Sequence, residues 1–383
     1  MWSSSLPPRR RLTSSRILWC AAIRSKRLSA AWTQSEEGSL DFFETLQTLC
    51  VAPGPSGFEQ PVAAVAAQLL QPLADEVWTD RQGSVIALRR CGRPDAKKVL
   101  LDAHLDEVGM IVTGQEEGFL RFGTLGGIDP RVLPDREVTV LTDPPLLGVI
   151  AVKPPHIMQP GEADKAVPLR ELRIDVGLSQ EEAERAVPIG TPIIYRERLH
   201  RLGEDQIAGK SLDDRSCFAV LLRVLELLRE ETLDVDLYVM GSCLEETSGD
   251  GALTATFAIH PDCAVAVDVT FAVTHDGPKE TGFAAGGGPA VGIGPNCAHW
   301  MVNRLRRAAQ EQSIPWNPEV MSGETGTNGW GMQVAREGVP VALVSLPLKY
   351  MHTPLEVISA ADAEQTARLL AAFLRRLGEE EAL

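Results

Sequence analysis

Gly241-Ser-Cys-Leu-Glu245-Glu246-Thr-Ser-Gly-Asp-Gly-Ala252 follows the apolar run Val235-Asp-Leu-Tyr-Val-Met240. The run is apolar, partly β-branched and aromatic, and closed by glycine, which predicts a buried strand. Two adjacent glutamates stand at its C-terminal end, ahead of a Gly-rich turn and the helix-like Ala252-Leu-Thr-Ala-Thr-Phe257. In open α/β sheets ligands bind at this end of a strand. One carboxylate could hold a metal there while its neighbour moves a proton. Equally, Glu245 and Glu246 could serve only as favourable charges at a helix N-terminus.

The same arrangement recurs on either side of this stretch. Val99 to Leu101 reads as a buried strand, with His104 and Asp106 at its end. Two residues apart on extended backbone, they share a face, and a carboxylate there can orient a metal-binding imidazole. Gly209-Lys-Ser-Leu-Asp213-Asp214-Arg215 precedes an apolar helix from Cys217 to Leu228, where an Asp pair could also act as a cap. Cys263-Ala-Val-Ala-Val-Asp268 places an acid directly behind small apolar residues, where an unpartnered carboxylate would be costly. Pro340 to Leu346 forms the last buried run and leads to His352. A C-terminal helix follows, capped by Ser359.

Ahead of the first strand, Leu40, Phe43, Leu46 and Leu49 predict a helix capped by Ser39. A second helix starts near Pro61, and a hairpin turns at Gly83. From about 109 to 204 the pattern changes to short β-like runs separated by Gly and Pro, with one helix marked by the capping box Ser179-Gln-Glu-Glu182. The expected organisation is therefore an α/β domain over 39–108 and 205–383, interrupted by a small β-rich domain over 109–204.

Residues 1–38 are expected to lie outside the fold and to be disordered. Up to residue 35 they carry Arg9, Arg10, Arg11, Arg16, Arg24, Lys26 and Arg27, and the first acid is Glu36. That composition suits an organellar transit segment, or a start codon assigned too far upstream. The 383-residue chain is 44% hydrophobic with a net charge of −15, so nucleic acid and anionic membranes are poor partners for the folded body. No apolar run reaches the ~18 residues of a membrane span. Seven widely spaced cysteines form neither a disulfide framework nor a zinc ribbon, which points to a reducing, cytoplasmic setting.

Taken together, His104, Asp213, Glu245, Glu246, Asp268 and His352 all stand at or just beside strand ends. Two histidines with several carboxylates and no clustered thiols suit zinc, cobalt or manganese. A shared carboxylate could bridge two such ions, as in two-metal aminopeptidases.

The sequence resembles the dinuclear-zinc cytosolic aminopeptidases that include glutamyl aminopeptidase and the tetrahedral (TET) aminopeptidases. The resemblance runs from about Leu40 to the C-terminus. It rests on Ala52-Pro-Gly-Pro-Ser-Gly-Phe-Glu59, Ala103-His-Leu-Asp-Glu-Val-Gly109, Ser211-Leu-Asp-Asp-Arg215, the Glu245-Glu246 pair, Asp268-Val-Thr270 and Tyr350-Met-His-Thr-Pro-Leu-Glu-Val357. It implies a mostly parallel α/β peptidase domain with helices on both faces. It also implies an inserted β-barrel-like domain that helps to assemble homo-oligomers, from dimers to dodecamers. His104, Asp213, Glu246, Asp268 and His352 would hold two divalent ions, with Asp213 as the bridge. Glu245 would be the general base, Asp106 would orient His104, and peptides with a free N-terminus would be the substrates. Asp214 is expected to cap the helix or pair with Arg215.

Two positions depart from the family pattern. Asn328 stands where relatives usually carry an aspartate, and Lys349 where many carry an arginine. They leave open a metal-binding but catalytically altered member. A glycoside hydrolase is the other alternative, but it needs two carboxylates ~5–10 Å apart across a bond and gives the histidines no task.

Overall fold

The computed structural model describes residues 41–377, apart from 160, 162–164, 197 and 278–281. The expected N-terminal extension 1–38 and the expected cap Ser39 lie outside the described residues. The first helix, α1 (Phe42–Val51), is capped by Asp41, whose side chain accepts the Glu44 N–H. α2 (Gln60–Leu70) begins with proline in its first turn, where the missing N–H costs nothing. The hairpin of β1 (Glu76–Thr79) and β2 (Val85–Arg89) turns where Asp80 accepts three successive amides, from Gln82, Gly83 and Ser84.

β3 (Lys97–His104) enters the main sheet, and the chain then leaves it for a closed antiparallel barrel. The barrel comprises β4 (Gly109–Glu116), β5 (Phe119–Leu125), β6 (Glu137–Val140), β7 (Leu146–Ala151), β8 (Arg173–Asp175) and β9 (Pro192–Tyr195), in the order β4-β5-β8-β7-β6-β9. Alternate residues of these short runs point inward. Met110, Val112, Leu120, Phe122, Val138, Val140, Ile150, Ile174 and Ile193 form a core separate from that of the main sheet. α3 (Gln180–Ala186) carries the capping box of Ser179 and Glu182.

The chain returns through β10 (His200–Leu202) and β11 (Gln206–Gly209) into α4 (Leu212–Leu227). Next come β12 (Val235–Ser242), α5 (Asp250–Ile259), β13 (Cys263–Phe271), β14 (Ala290–Ile293), α6 (His299–Glu311), β15 (Asn317–Val320), α7 (Gly329–Met332), β16 (Val341–Lys349), β17 (Glu356–Ser359) and α8 (Ala360–Leu377). The heart of the sheet is four parallel strands, β12-β3-β13-β16, with antiparallel strands on both flanks. These four runs are almost wholly apolar because a parallel strand is covered on both faces.

Register aligns their ends. Ser242 pairs with His104, and Asp268 with Ser345. His104, the Glu245–Glu246 pair, Asp268 and His352 are thereby carried to the same edge of the sheet. Fully buried Arg215 ties this edge together. Its guanidinium donates to the Leu105, Leu49 and Ala52 carbonyls and to Glu107. Engagement of all three guanidinium nitrogens offsets the cost of burying the charge.

Candidate active site

His104 closes β3 with its side chain 2% exposed. Its Nδ1 lies 3.1 Å from the Asp106 carbonyl oxygen, which can only accept, so Nδ1 carries a proton. Nε2 faces Asp213 Oδ1 at 3.1 Å. The Asp106 carboxylate is a little farther from the ring, at 3.6 Å. Its two oxygens instead accept the backbone N–H groups of Glu245 and Glu246, both at 3.1 Å. Asp106 therefore fixes the glutamate pair as well as standing beside the histidine.

Asp213 lies between the two histidines. Oδ1 faces His104, and Oδ2 lies 3.3 Å from His352 Nε2. His352 Nε2 is also 3.3 Å from Glu246 Oε2. Asp268 groups with His104 and Asp214, with ligand atoms within 4.8 Å of one another. Glu245 Oε2 stands 3.8 Å from His104 Nε2, at the more open edge of the cluster. All the residues expected from sequence are thus brought together.

Asp214 does not act as expected. Its Oδ2 accepts the His104 backbone N–H at 3.2 Å, while Arg215 is engaged by Glu107 and three carbonyls. The reason is geometric. Asp213 and Asp214 have non-helical backbone angles, and Asp214 is directed towards β3.

Backbone strain also concentrates here. Ser211, Leu244, Tyr350 and His352 are all left-handed, with φ of 59°, 62°, 61° and 60°. Such conformations cost non-glycine residues roughly 1–3 kcal/mol each and gather at functional sites.

The electrostatics are dominated by buried negative charge. Burial raises the pKa of Glu246, Asp268 and Asp214 well above the carboxylate range, and neighbouring acids add to it. Burial likewise pushes Glu245 up to about 7, with Asp106 and Asp213 reinforcing the shift and His104 opposing it. Asp213 goes the other way. Burial raises its pKa, but hydrogen bonds from both histidines outweigh that and hold it well below the usual range. Glu246 Oε1 and Asp214 Oδ1 are buried without a partner. Oxygen and imidazole donors, crowded carboxylates and orphaned buried oxygens together fit divalent cations, which would neutralise the charge and occupy the unpaired atoms.

Three contributors escaped sequence reasoning. Buried Glu356 accepts the Leu212 and Asp213 N–H groups on one oxygen and the His352 N–H on the other. The only sequence signal is an acid opening an otherwise apolar strand. Asp102, two residues before His104, accepts from Asn328 Nδ2 at 2.9 Å. A buried carboxylate therefore remains beside position 328 although that residue is an amide. Gly127, in the loop after β5, offers its carbonyl to His352 Nδ1 at 2.8 Å. Lys349, the other departure, reaches Gln206.

Residues 83–369 match the family model described as M42 glutamyl aminopeptidase. The lysyl aminopeptidase of Pyrococcus furiosus is 33% identical over 341 residues, covering 88% of this chain and 97% of the relative. The crystal structure of a TET aminopeptidase from a marine-sediment Thaumarchaeota archaeon superposes with a TM-score of 0.83 at 32% identity, covering 88% of this chain and 97% of that one. The Pyrococcus horikoshii TET1 peptidase, described as able to assemble into a tetrahedron or a large octahedral shell, has a TM-score of 0.76 at 26% identity, covering 87% and 99%.

Proposed function

The chain belongs to the M42 glutamyl aminopeptidase family and is a peptide-bond hydrolase, and on that premise we propose a two-metal aminopeptidase mechanism. The observation that carries the reading is Asp213, whose two oxygens each face a different histidine. His104, Asp213 and Asp268 would hold one ion, and Asp213, Glu246 and His352 the other. Zinc is the first candidate, with cobalt or manganese as alternatives. Bound there, two ions would supply an activated water and a polarised scissile carbonyl.

Glu245 would take the proton from the attacking water and deliver it to the departing amine. Its position suits that task, since it is the acid nearest the open edge and its backbone is pinned by Asp106. Asp106 and the Asp106 carbonyl keep the ligands oriented. A glycoside hydrolase would leave His104 and His352 idle.

The chain would assemble into homo-oligomers, as the P. horikoshii relative's shells suggest, with the barrel as the contact domain, and light scattering on the purified chain tests the assembly. A cytoplasmic location is consistent with the six described cysteines, all free and five of them buried. Among the described residues, no helix is long and apolar enough to cross a membrane.

The deciding experiment titrates metal-free protein with zinc, cobalt and manganese and follows hydrolysis of an aminoacyl substrate panel. Activity should reach a plateau near two ions per chain and identify the preferred N-terminal residue. A chain that binds no metal would overturn the reading.

A further inference from the structure

The Asp213–Glu246–His352 end of the site is bordered by the barrel. At the end of β5 the chain runs from Leu125 into Gly126-Gly127-Ile128, and this loop lies against both Glu246 and His352. The Gly127 carbonyl can only accept, so at 2.8 Å it fixes a proton on His352 Nδ1 and leaves Nε2 directed at Asp213 and Glu246. Gly126 has φ +82°, a conformation that favours glycine, and a Cβ there would meet Glu246 Cβ and Oε2 at 3.3 Å and Val108 Cγ1 at 3.0 Å. A Cβ on Gly127 would stand 3.2 Å from His352 Nδ1. Ile128 and Val108 pack into the barrel core, so the loop is anchored in the barrel rather than free beside the site.

We propose that the Gly126–Gly127 loop of the barrel is a positioning element for the second metal site, setting the ring orientation of His352 and the seat of Glu246. The proposal rests on the two-metal reading. It makes the inserted domain part of the catalytic apparatus, beyond any part in assembly. The His104 end needs no such help, because the Asp106 carbonyl two residues away supplies the equivalent bond.

The test uses cobalt(II) as probe, titrated calorimetrically into metal-free full-length protein. Wild type should show two binding events. Gly127→Ala and Gly126→Ala should each weaken one event by roughly ten- to a hundredfold, the usual cost of losing a ligand's supporting contact, and leave the other unchanged. Gly123→Ala, on the preceding strand β5 with only ordinary contacts at 3.7 Å and beyond, should match wild type. A second measurement needs no variant. Histidine-selective ¹⁵N labelling of the zinc-loaded wild-type chain, which has seven histidines, should show a His352 Nδ1–H protected from exchange. Rapid exchange there, or glycine variants that bind both ions as wild type does, would overturn the assignment. If wild type itself binds fewer than two ions, the two-metal reading fails first; if it binds two and the variants match it, only the role of the loop fails.

Discussion

His104 and His352 approach opposite oxygens of one carboxylate, yet the two ends of the site are built by different means. His104 ends a central strand, is 2% exposed, and receives its orienting carbonyl from Asp106 two residues on. His352 stands in a left-handed loop, is 33% exposed, and takes its orienting carbonyl from Gly127, 225 residues away in an exposed loop of the barrel. The first end is built mainly on strand ends, with the Asp213–Asp214 segment packed against them. The second requires the barrel loop, the loop after β16 and Glu356 to agree. Ligands on regular elements are held more closely than ligands on loops, so the His104 end should be the stiffer and tighter of the two.

The most damaging way to break this comparison is to remove what the ends share. Asp213→Asn should abolish retention of both ions and with it measurable aminopeptidase turnover, because one oxygen serves each histidine. Metal analysis after dialysis checks this. Retention of one tightly held ion with unchanged turnover would sink the idea of a shared bridge. Glu245→Gln should separate holding from chemistry. Turnover should fall by roughly 10²–10⁴, the usual contribution of a general base, while two ions still bind. Unchanged turnover on an aminoacyl substrate would remove Glu245 from that role.

The asymmetry also decides what sequence could reveal. His104, Glu245, Glu246 and Asp268 were legible because each is a polar interruption at the end of an apolar run, and parallel strands bring such ends to one edge. The barrel was legible as a change from long apolar runs to short alternating ones. Asp214 was misjudged because the directions of two adjacent side chains depend on non-helical backbone angles that composition does not encode. The roles of Glu356 and Gly127 were not legible, for another reason. Their contacts with His352 arise from the packing of separate loops, and a backbone carbonyl leaves no residue signature.

Glu356 offers a sharper probe of the loop-built end. One of its oxygens accepts two amides from the Asp213 segment and the other accepts the His352 amide, so it clamps the two segments together. Glutamine keeps the size but replaces one acceptor with a donor. Glu356→Gln should therefore weaken the His352-end ion most, by roughly 10–100-fold, and the His104-end ion less, through the shared Asp213. Cobalt titration reads both. Equal weakening at the two ends would show that Glu356 supports the whole fold rather than one end.

The smallest expected effect lies beneath the stiff end. Asp102 is buried beside Ser242 and Asn328. Burial raises its pKa to about 6 although hydrogen bonds from both neighbours oppose the shift. A carboxyl raised in the fold binds its proton more tightly there than in the unfolded chain. Its contribution to stability is therefore fully present below the unfolded value near 4 and is lost as pH rises towards 6. Asp102→Asn cannot ionise, so in metal-free protein it should gain stability relative to wild type as pH increases through that window. Urea-unfolding midpoints of the two proteins at the acid and neutral ends would check it, and a difference independent of pH would refute it. Position 328 faces the same carboxyl. If the Asp102 carboxyl, rather than an acid at 328, supplies the buried charge beside His104, then Asn328→Asp should set two acids against each other. That variant should lose stability relative to wild type, more so at neutral than at acid pH.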